Sequence, residues 1–514
     1  MNNPLLQSFT LILLLSLAIL TDAQLLYNNG QIIVVNAGPE GILFVGDNSL
    51  QNDGQGYIRN EGLIWIEEDL VNSDGTIDNA GLVDIDRDMI NNDTITGFGS
   101  ANGIYRVNRN WVNNNVFRAD QGAVELDGLS QFISGSVSSR FYNLRCQGGG
   151  IKTLQLVDAF TINELDLTSV ELATDIYTMH VTNPNPNAIV RSSGFVSSLG
   201  AGRLNRTTNS TSVYLFPTGS SLGTQRYRPI TMRPSNALTQ IYGARLANTD
   251  ATNEFYDREM KEEVLCAINP NFYHRLYGNA PVDLRMFFDP STDGSWTNMA
   301  HWQTVPQWED MGNVQTGSGS GFSTLAVNGW ANFTQPAFVL ASERPFLELG
   351  PDLEIVTGQS IDLNMVYNGS PNSTFAWTPE EGLDCIDCPE PTATPMESTQ
   401  YLVTVSDEYG CVVQDSLLVY VFTDRLLIPT AFSPNSDGAN DVFRPLNPNL
   451  QSFTMIIYNR WGQKVFESSD PDIGWDGRYK GLLQNIGVFT YYAQYRFNGE
   501  NETRNQSGTV TLIH

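Results

Sequence analysis

Gly41-Ile-Leu-Phe-Val-Gly-Asp-Asn-Ser-Leu-Gln-Asn-Asp-Gly54 and Gly62-Leu-Ile-Trp-Ile-Glu-Glu-Asp-Leu-Val-Asn-Ser-Asp-Gly75 are two rows of one pattern, and three more rows start at Gly81, Gly103 and Gly122. The row starts lie 21, 19, 22 and 19 residues apart, and the rows overlay without a gap. One column of the overlay reads Leu43, Ile64, Val83, Tyr105 and Val124. Two residues on, another reads Val45, Ile66, Ile85, Val107 and Leu126. The position between them (Phe44, Trp65, Asp84, Arg106, Glu125) is mixed, so it should face solvent. A period of two is the mark of a strand, because successive side chains leave opposite faces. Apolar columns recurring at a near-constant period are what a parallel β-helix produces, each rung burying its inward residues on the rung below. Asn72, Asn91 and Asn113 add a polar column, with Gln51 in the matching place, and stacked amides can hydrogen-bond from rung to rung. The pattern predicts a β-solenoid over residues 24–195, continuing less regularly after Cys146 through Leu154, Leu156, Ile162, Leu165 and Leu167.

Asp84, Asp86 and Asp88 are placed on the outward side of one rung, near Glu67 and Asp69 of the rung before. Three readings stand side by side. The carboxylates form a solvated face neutralised by Arg87 and Arg106, they share a calcium ion, or a pair of them acts as acid and base on a glycosidic bond. The solvated face is the reading most acidic surfaces have.

Composition narrows the field. A chain of 514 residues with net charge −28 is too long for one core and too acidic for nucleic acid, whose phosphates need clustered Lys and Arg. Frequent Asn, Gly, Thr, Val and Tyr favour strands over helices, so the expectation is an all-β chain. Met1–Ala23 has an apolar core from Leu11 to Leu20 and small residues before Gln24, the pattern of a secretory signal peptide over residues 1–23. No stretch reaches the ~20 apolar residues of a membrane-spanning helix, so no transmembrane segment is expected. Five cysteines in an exported chain permit disulfides and leave at least one outside them.

Residues 196–345 read as a β-sandwich, jelly-roll or immunoglobulin-like, with strand signals at Tyr214–Thr218, Tyr227–Met232 and Asp283–Phe288. Trp296, Trp302, Trp308, Trp330, Phe272, Tyr273 and Tyr277 gather here, as core or as exposed sugar-binding platforms; core is the commoner fate of Trp. His274 and His301 have no partner ligands at metal spacing, so structural roles are expected. The chain carries no His-Glu-x-x-His or phosphate-cradling glycine loop, and its four histidines leave little material for hydrolytic triads.

Near the C-terminus come Ile428-Pro-Thr-Ala-Phe-Ser-Pro-Asn-Ser-Asp-Gly-Ala-Asn-Asp-Val-Phe443 and Phe453-Thr-Met-Ile-Ile-Tyr-Asn-Arg-Trp-Gly-Gln-Lys-Val-Phe466. Gly474-Trp-Asp-Gly-Arg-Tyr-Lys-Gly481, Gly487-Val-Phe-Thr-Tyr-Tyr492 and Gly508-Thr-Val-Thr-Leu-Ile-His514 complete the set. Alternation in Phe453–Tyr458, the Asn459–Gly462 turn and the aromatic run from Val488 argue for a small antiparallel sandwich. Over residues 427–514 these motifs closely resemble the gliding-motility-associated C-terminal domain of Bacteroidetes surface proteins, the type B sorting domain of type IX secretion. The resemblance implies that secretion machinery recognises the folded module. Residues 346–422, with Phe375-Ala-Trp377, Thr399–Val405 and Glu408-Tyr-Gly-Cys411, resemble the PKD-like or immunoglobulin-like modules that precede such domains; Trp377 is the expected core anchor, facing Tyr401, Val403 and Val405. Cys385-x-x-Cys388 supplies two of the four ligands a structural zinc needs, so a local disulfide is expected. The family's usual partner for Cys411 is replaced here by Val356, which implies that Cys411 is unpaired.

In the sorting module Asn435, Asp437, Asn440 and Asp441 surround a glycine turn. They are candidate calcium ligands, similar to Asp-x-Asp-Gly loops but shorter than an EF-hand, or they form an Asx-turn network capping backbone amides. The sequence thus points to a secreted or surface-displayed, non-enzymatic, all-β protein with a parallel solenoid, immunoglobulin-like sandwiches and a terminal sorting sandwich. Its expected partners are the secretion machinery and surface components, as adhesin or structural element. The alternative is a polysaccharide-binding or polysaccharide-cleaving solenoid.

Overall fold

The computed structural model describes residues 25–97, 102–118, 120–408, 410–422, 426–446, 450–498 and 502–513; the expected signal peptide lies outside them. The regular structure is almost entirely strand, and the only helical turns among the described residues are Ala251–Glu254 and Pro290–Asp293. It divides into two compact units, Met1–Arg344 and Pro345–His514.

The first unit opens with a parallel β-solenoid of three walls. The first wall begins with Leu26–Asn29, Leu50–Asp53, Leu70–Asn72, Met89–Asn91 and Trp111–Asn113. The second holds Ile32–Val35, Gly56–Asn60, Gly75–Asn79, Thr94–Gly97 and Val116–Arg118. The third begins with Ile42–Val45, Leu63–Ile66, Leu82–Ile85, Ile104–Val107 and Ala123–Leu126. Both expected apolar columns lie in register on the third wall, and from Ile64 onward the first is buried at every rung. Leu50, Leu70, Met89 and Trp111 supply the inward column of the first wall, and Ile58, Ile77, Ile95 and Phe117 that of the second. Three apolar columns thus converge on one continuous core.

Two positions differ from the gapless overlay. Asn52, not Gln51, pairs with Asn72, because the turn Gly46–Ser49 is one residue longer than its successor Glu67–Asp69. Farther along, Leu154, Leu165 and Leu167 are buried, but Leu156 and Ile162 are exposed. Leu156 sits in a turn at φ 76°, and the strand Ala159–Thr168 pairs with Ser139–Cys146 across a bulge that changes the phase of alternation just beyond Ile162.

The third wall stays parallel as far as Arg203–Thr208, which then pairs antiparallel with Gln240–Ala247. The sheet continues through Tyr273–Tyr277, Ala337–Glu343, Asn298–Trp302 and Trp308–Asp310. A second antiparallel sheet holds Tyr214–Phe216, Ile230–Pro234, Val282–Phe288, Phe322–Trp330 and Gln315–Gly319. Here Trp296, Trp302, Trp308, Phe272 and Tyr273 are buried in the core, while Tyr277 and Trp330 are half-buried. His274 and His301 are also fully buried, their Nε2 atoms 2.9 Å and 2.8 Å from the carbonyls of Arg228 and Gln335. Burial pushes His274 down to about 4, which keeps it neutral in the core.

In the second unit Leu353–Val356, Val412–Phe422, Thr399–Ser406 and Thr374–Thr378 form one sheet. Trp377, Tyr401, Val403 and Val405 lie together in its core, and the indole of Trp377 donates to the Cys388 carbonyl at 2.9 Å. Cys385 and Cys388 are joined by a disulfide. Cys411 is disulfide-bonded as well, which corrects the expectation drawn from Val356; the free cysteine among the described residues is the buried Cys146.

Candidate functional site

Residues 426–512 close into a five-stranded sheet. Ala431–Phe432 lies parallel to Arg504–Leu512, followed by Gly487–Phe497, Leu450–Tyr458 and Lys464–Ser468, each antiparallel to its neighbour. Phe453, Met455 and Ile457 are buried while Thr454, Ile456 and Tyr458 are only partly so, as their alternation requires. Trp475 is the hub. Its ring packs 5.4 Å from Phe432 and 4.7 Å from Phe489, and its indole donates to the Arg478 carbonyl at 2.8 Å. Its backbone exchanges hydrogen bonds with Phe443 at 2.8 Å and 2.9 Å, tying the loop after the first strand to the module's centre. Gly477, at φ 76°, makes the turn that lets this happen. The conspicuous Gly-Trp-Asp-Gly motif is therefore a core closure.

The Asn435–Asp441 loop is held by its own side chains. Asp441 accepts from the amides of Ser436 and, at 2.9 Å, Gly438; Asp437 accepts from Ala439 at 2.8 Å; and Asn435 accepts from Asp437 at 3.0 Å. The amide of Asn435 also donates to Asp437 at 2.9 Å. The Ala439 amide, with Asn435, holds the Asp437 carboxyl below the usual carboxylate range. Among the four candidate calcium ligands, Asn435, Asp437 and Asp441 thus serve backbone amides through their side chains, while Asn440 enters through its carbonyl, which accepts from Ser433 at 3.0 Å. No three His, Cys, Asp or Glu side chains gather to hold a metal among the described residues.

The acidic face of the solenoid is likewise occupied by partners. On the third wall Trp65, Asp84, Arg106, Glu125, Arg145 and Asp166 stand in register. Arg106 bridges Asp84 and Glu125 at 3.2 Å each, and Arg145 reaches Glu125 at 2.8 Å. Glu125 is buried beneath these guanidinium groups, against the expectation that this position faces solvent, whereas Phe44 and Trp65 do stay exposed. Burial raises Asp84, opposed by Arg106. Asp88 accepts from the Asn110 backbone and side chain at 2.9 Å and 2.8 Å, and Asp69 accepts from the Asp88 amide at 3.0 Å. This is a surface ion-pair and amide lattice that engages Asp69, Asp84, Asp88 and Glu125, while Asp86 stays exposed. Beside it lies a cavity of about 310 Å³ lined by Asn102, Gln121, Tyr142, Asn143 and Arg145.

Inside the solenoid the asparagines do more than the overlay foresaw. Asn28, Asn52, Asn72, Asn91 and Asn113 form one chain, each Nδ2 donating to the next Oδ1 at 2.8–2.9 Å. Asn60 and Asn79 form a second on the neighbouring wall at 2.8 Å. Lys152 is a further unforeseen feature. It is fully buried, and its ammonium reaches Gln131 Oε1 at 2.7 Å and the carbonyls of Gly128, Leu129 and Gly149. Desolvation pushes it down to about 8. A lone Lys on the short strand Ile151–Leu154 gives no periodic signal to find.

Residues 426–512 match the family described as the CHU_C type IX secretion signal domain. No curated protein matches the chain. Among solved structures, a complex of Dpr2 Ig1-Ig2 with DIP-Theta Ig1-Ig3 aligns at 12% identity over 46% of this chain and 94% of that one, with TM-score 0.20. Titin domains A168-A170 align at 9% over 47% and 92%, TM-score 0.19, and human CDH23 EC21-23 at 11% over 58% and 97%, TM-score 0.20. No helix among the described residues is long and apolar enough to cross a membrane.

Proposed function

With a type IX secretion signal domain at residues 426–512, we propose that this chain is a non-enzymatic adhesin or structural component of the cell surface, exported by that route. The family match is the observation that carries export, and it points to the cell surface or the extracellular space as the destination. Support for a non-enzymatic role comes from the chemistry of the solenoid face. Asp69, Asp84, Asp88 and Glu125 are engaged by Arg106, Arg145, Asn110 and backbone amides rather than standing as a free pair around a substrate bond. The sorting module folds around its own aromatic core, so its outer surface is available for recognition while the first unit is cargo.

Deleting residues 427–514 tests the reading. The truncated chain is expected to accumulate inside the outer membrane, and its appearance outside the cell in normal amounts would overturn the proposal. A second reading, binding of extracellular polysaccharide by the solenoid, draws on the polar cavity beside Tyr142 and Arg145. Glycan-array binding that Tyr142→Ala abolishes would favour it over structural cargo.

A further inference from the structure

The Leu25 end of the solenoid is built unlike the rest of it. Leu26–Asn29, Ile32–Val35 and Ile42–Val45 each begin a wall, and among the described residues each has a strand neighbour on one side only. Their inward residues Leu26, Ile33 and Leu43 are half-buried, whereas Leu50, Ile58 and Ile64 directly beneath them are buried completely. The core columns therefore run out into the open. Around them Ile32 is 72% exposed, Ile42 58% and Phe44 53%.

Proteins usually blunt such edges with charge, proline or a bulge. Here the end rung from Leu25 to Val45 carries a single charged residue, the exposed Glu40, although the whole protein carries −28. The asparagine chain gives an independent sign. Every Oδ1 from Asn52 to Asn113 accepts from the amide of the rung before, but the buried Oδ1 of Asn28 has no partner among the described residues. An unpaired buried acceptor is unfavourable, and it marks this end of the amide chain as unfinished.

We infer that this end is a homodimer interface on which a second copy of the chain docks end to end. A single extended peptide would cover one wall and leave two open. A second solenoid end has the same three-sided outline and covers all three at once. Two copies related by a two-fold axis across the end pair their edge strands antiparallel. Charge favours this approach, since two strongly acidic chains repel least where both surfaces are nearly free of charge. Growth stops at two, because beyond Arg203–Thr208 the third wall continues as an antiparallel sandwich sheet. The inference is independent of the export route, so failure of the deletion experiment leaves it standing.

Sedimentation equilibrium on the full chain purified after export tests it, over about 1–100 µM, a range that captures ordinary dimer affinities. A concentration-dependent dimer is expected. The double variant Ile32→Glu/Val34→Glu should weaken it by about tenfold or more, because like charges are brought together across paired strands. Both side chains are exposed, so the melting of the monomer should not move. A monomer throughout the range would overturn the inference, as would a dimer equally tight in the variant.

Discussion

The solenoid and the sorting module are both all-β, yet they hold together in opposite ways. The solenoid builds its core one rung at a time, from mainly aliphatic columns that take in Tyr105, Trp111 and Phe117 and from chains of amides, and every rung leans on its immediate neighbours. The module draws its core from distant positions at once, with Phe432, Phe443, Trp475, Phe489 and Tyr491 meeting around one indole. One core is distributed and partly polar, and the other is centred and aromatic. Damage should therefore be shared locally in the first and felt throughout the second.

Removing the hub is the severest way to break that contrast. Trp475→Ala empties a fully buried site, and such truncations cost about 3–5 kcal/mol. Thermal unfolding should show the transition of the second unit shifted strongly downward, with that of the first unmoved; a shared shift would mean the two cores are not separate.

A smaller effect is expected inside the solenoid. Asn72→Ala removes a donor to Asn91 and an acceptor for Asn52, leaving buried polar atoms without their partners at about 1–3 kcal/mol. Hydrogen exchange should quicken in the rungs on either side and remain slow farther along. Uniform loss of protection would show that the stack is one cooperative body rather than a series.

The smallest effect concerns the Asn435–Asp441 loop. Its acceptors already satisfy backbone amides, so adding calcium or a chelator should leave the thermal midpoint of the module where it was. A calcium-dependent rise would revive the ion-binding reading of Asn435, Asp437, Asn440 and Asp441.

The same contrast explains what the sequence disclosed. Columns such as Ile64, Val83 and Tyr105 were legible because stacking repeats one side-chain requirement at a fixed interval. The slip from Asn52 to Gln51 arose in a turn, where length varies without disturbing the strands it joins. Ile162 departs from the pattern because a bulge changes phase without changing composition, and Leu156 because it falls in a turn. In the module the motifs were readable as a family likeness, but alternation alone could not show that Trp475 closes the core against Phe443. Glu125 misled for another reason, since only the register of Arg106 and Arg145 around it makes its burial tolerable.

The unequal turns Gly46–Ser49 and Glu67–Asp69 have a practical consequence. Strands on either side keep their pairing although the connection differs by a residue, so length is absorbed outside the columns. Such corners are natural places for evolution to graft foreign loops, and for an engineer to mount an epitope or an affinity tag while the scaffold stays intact.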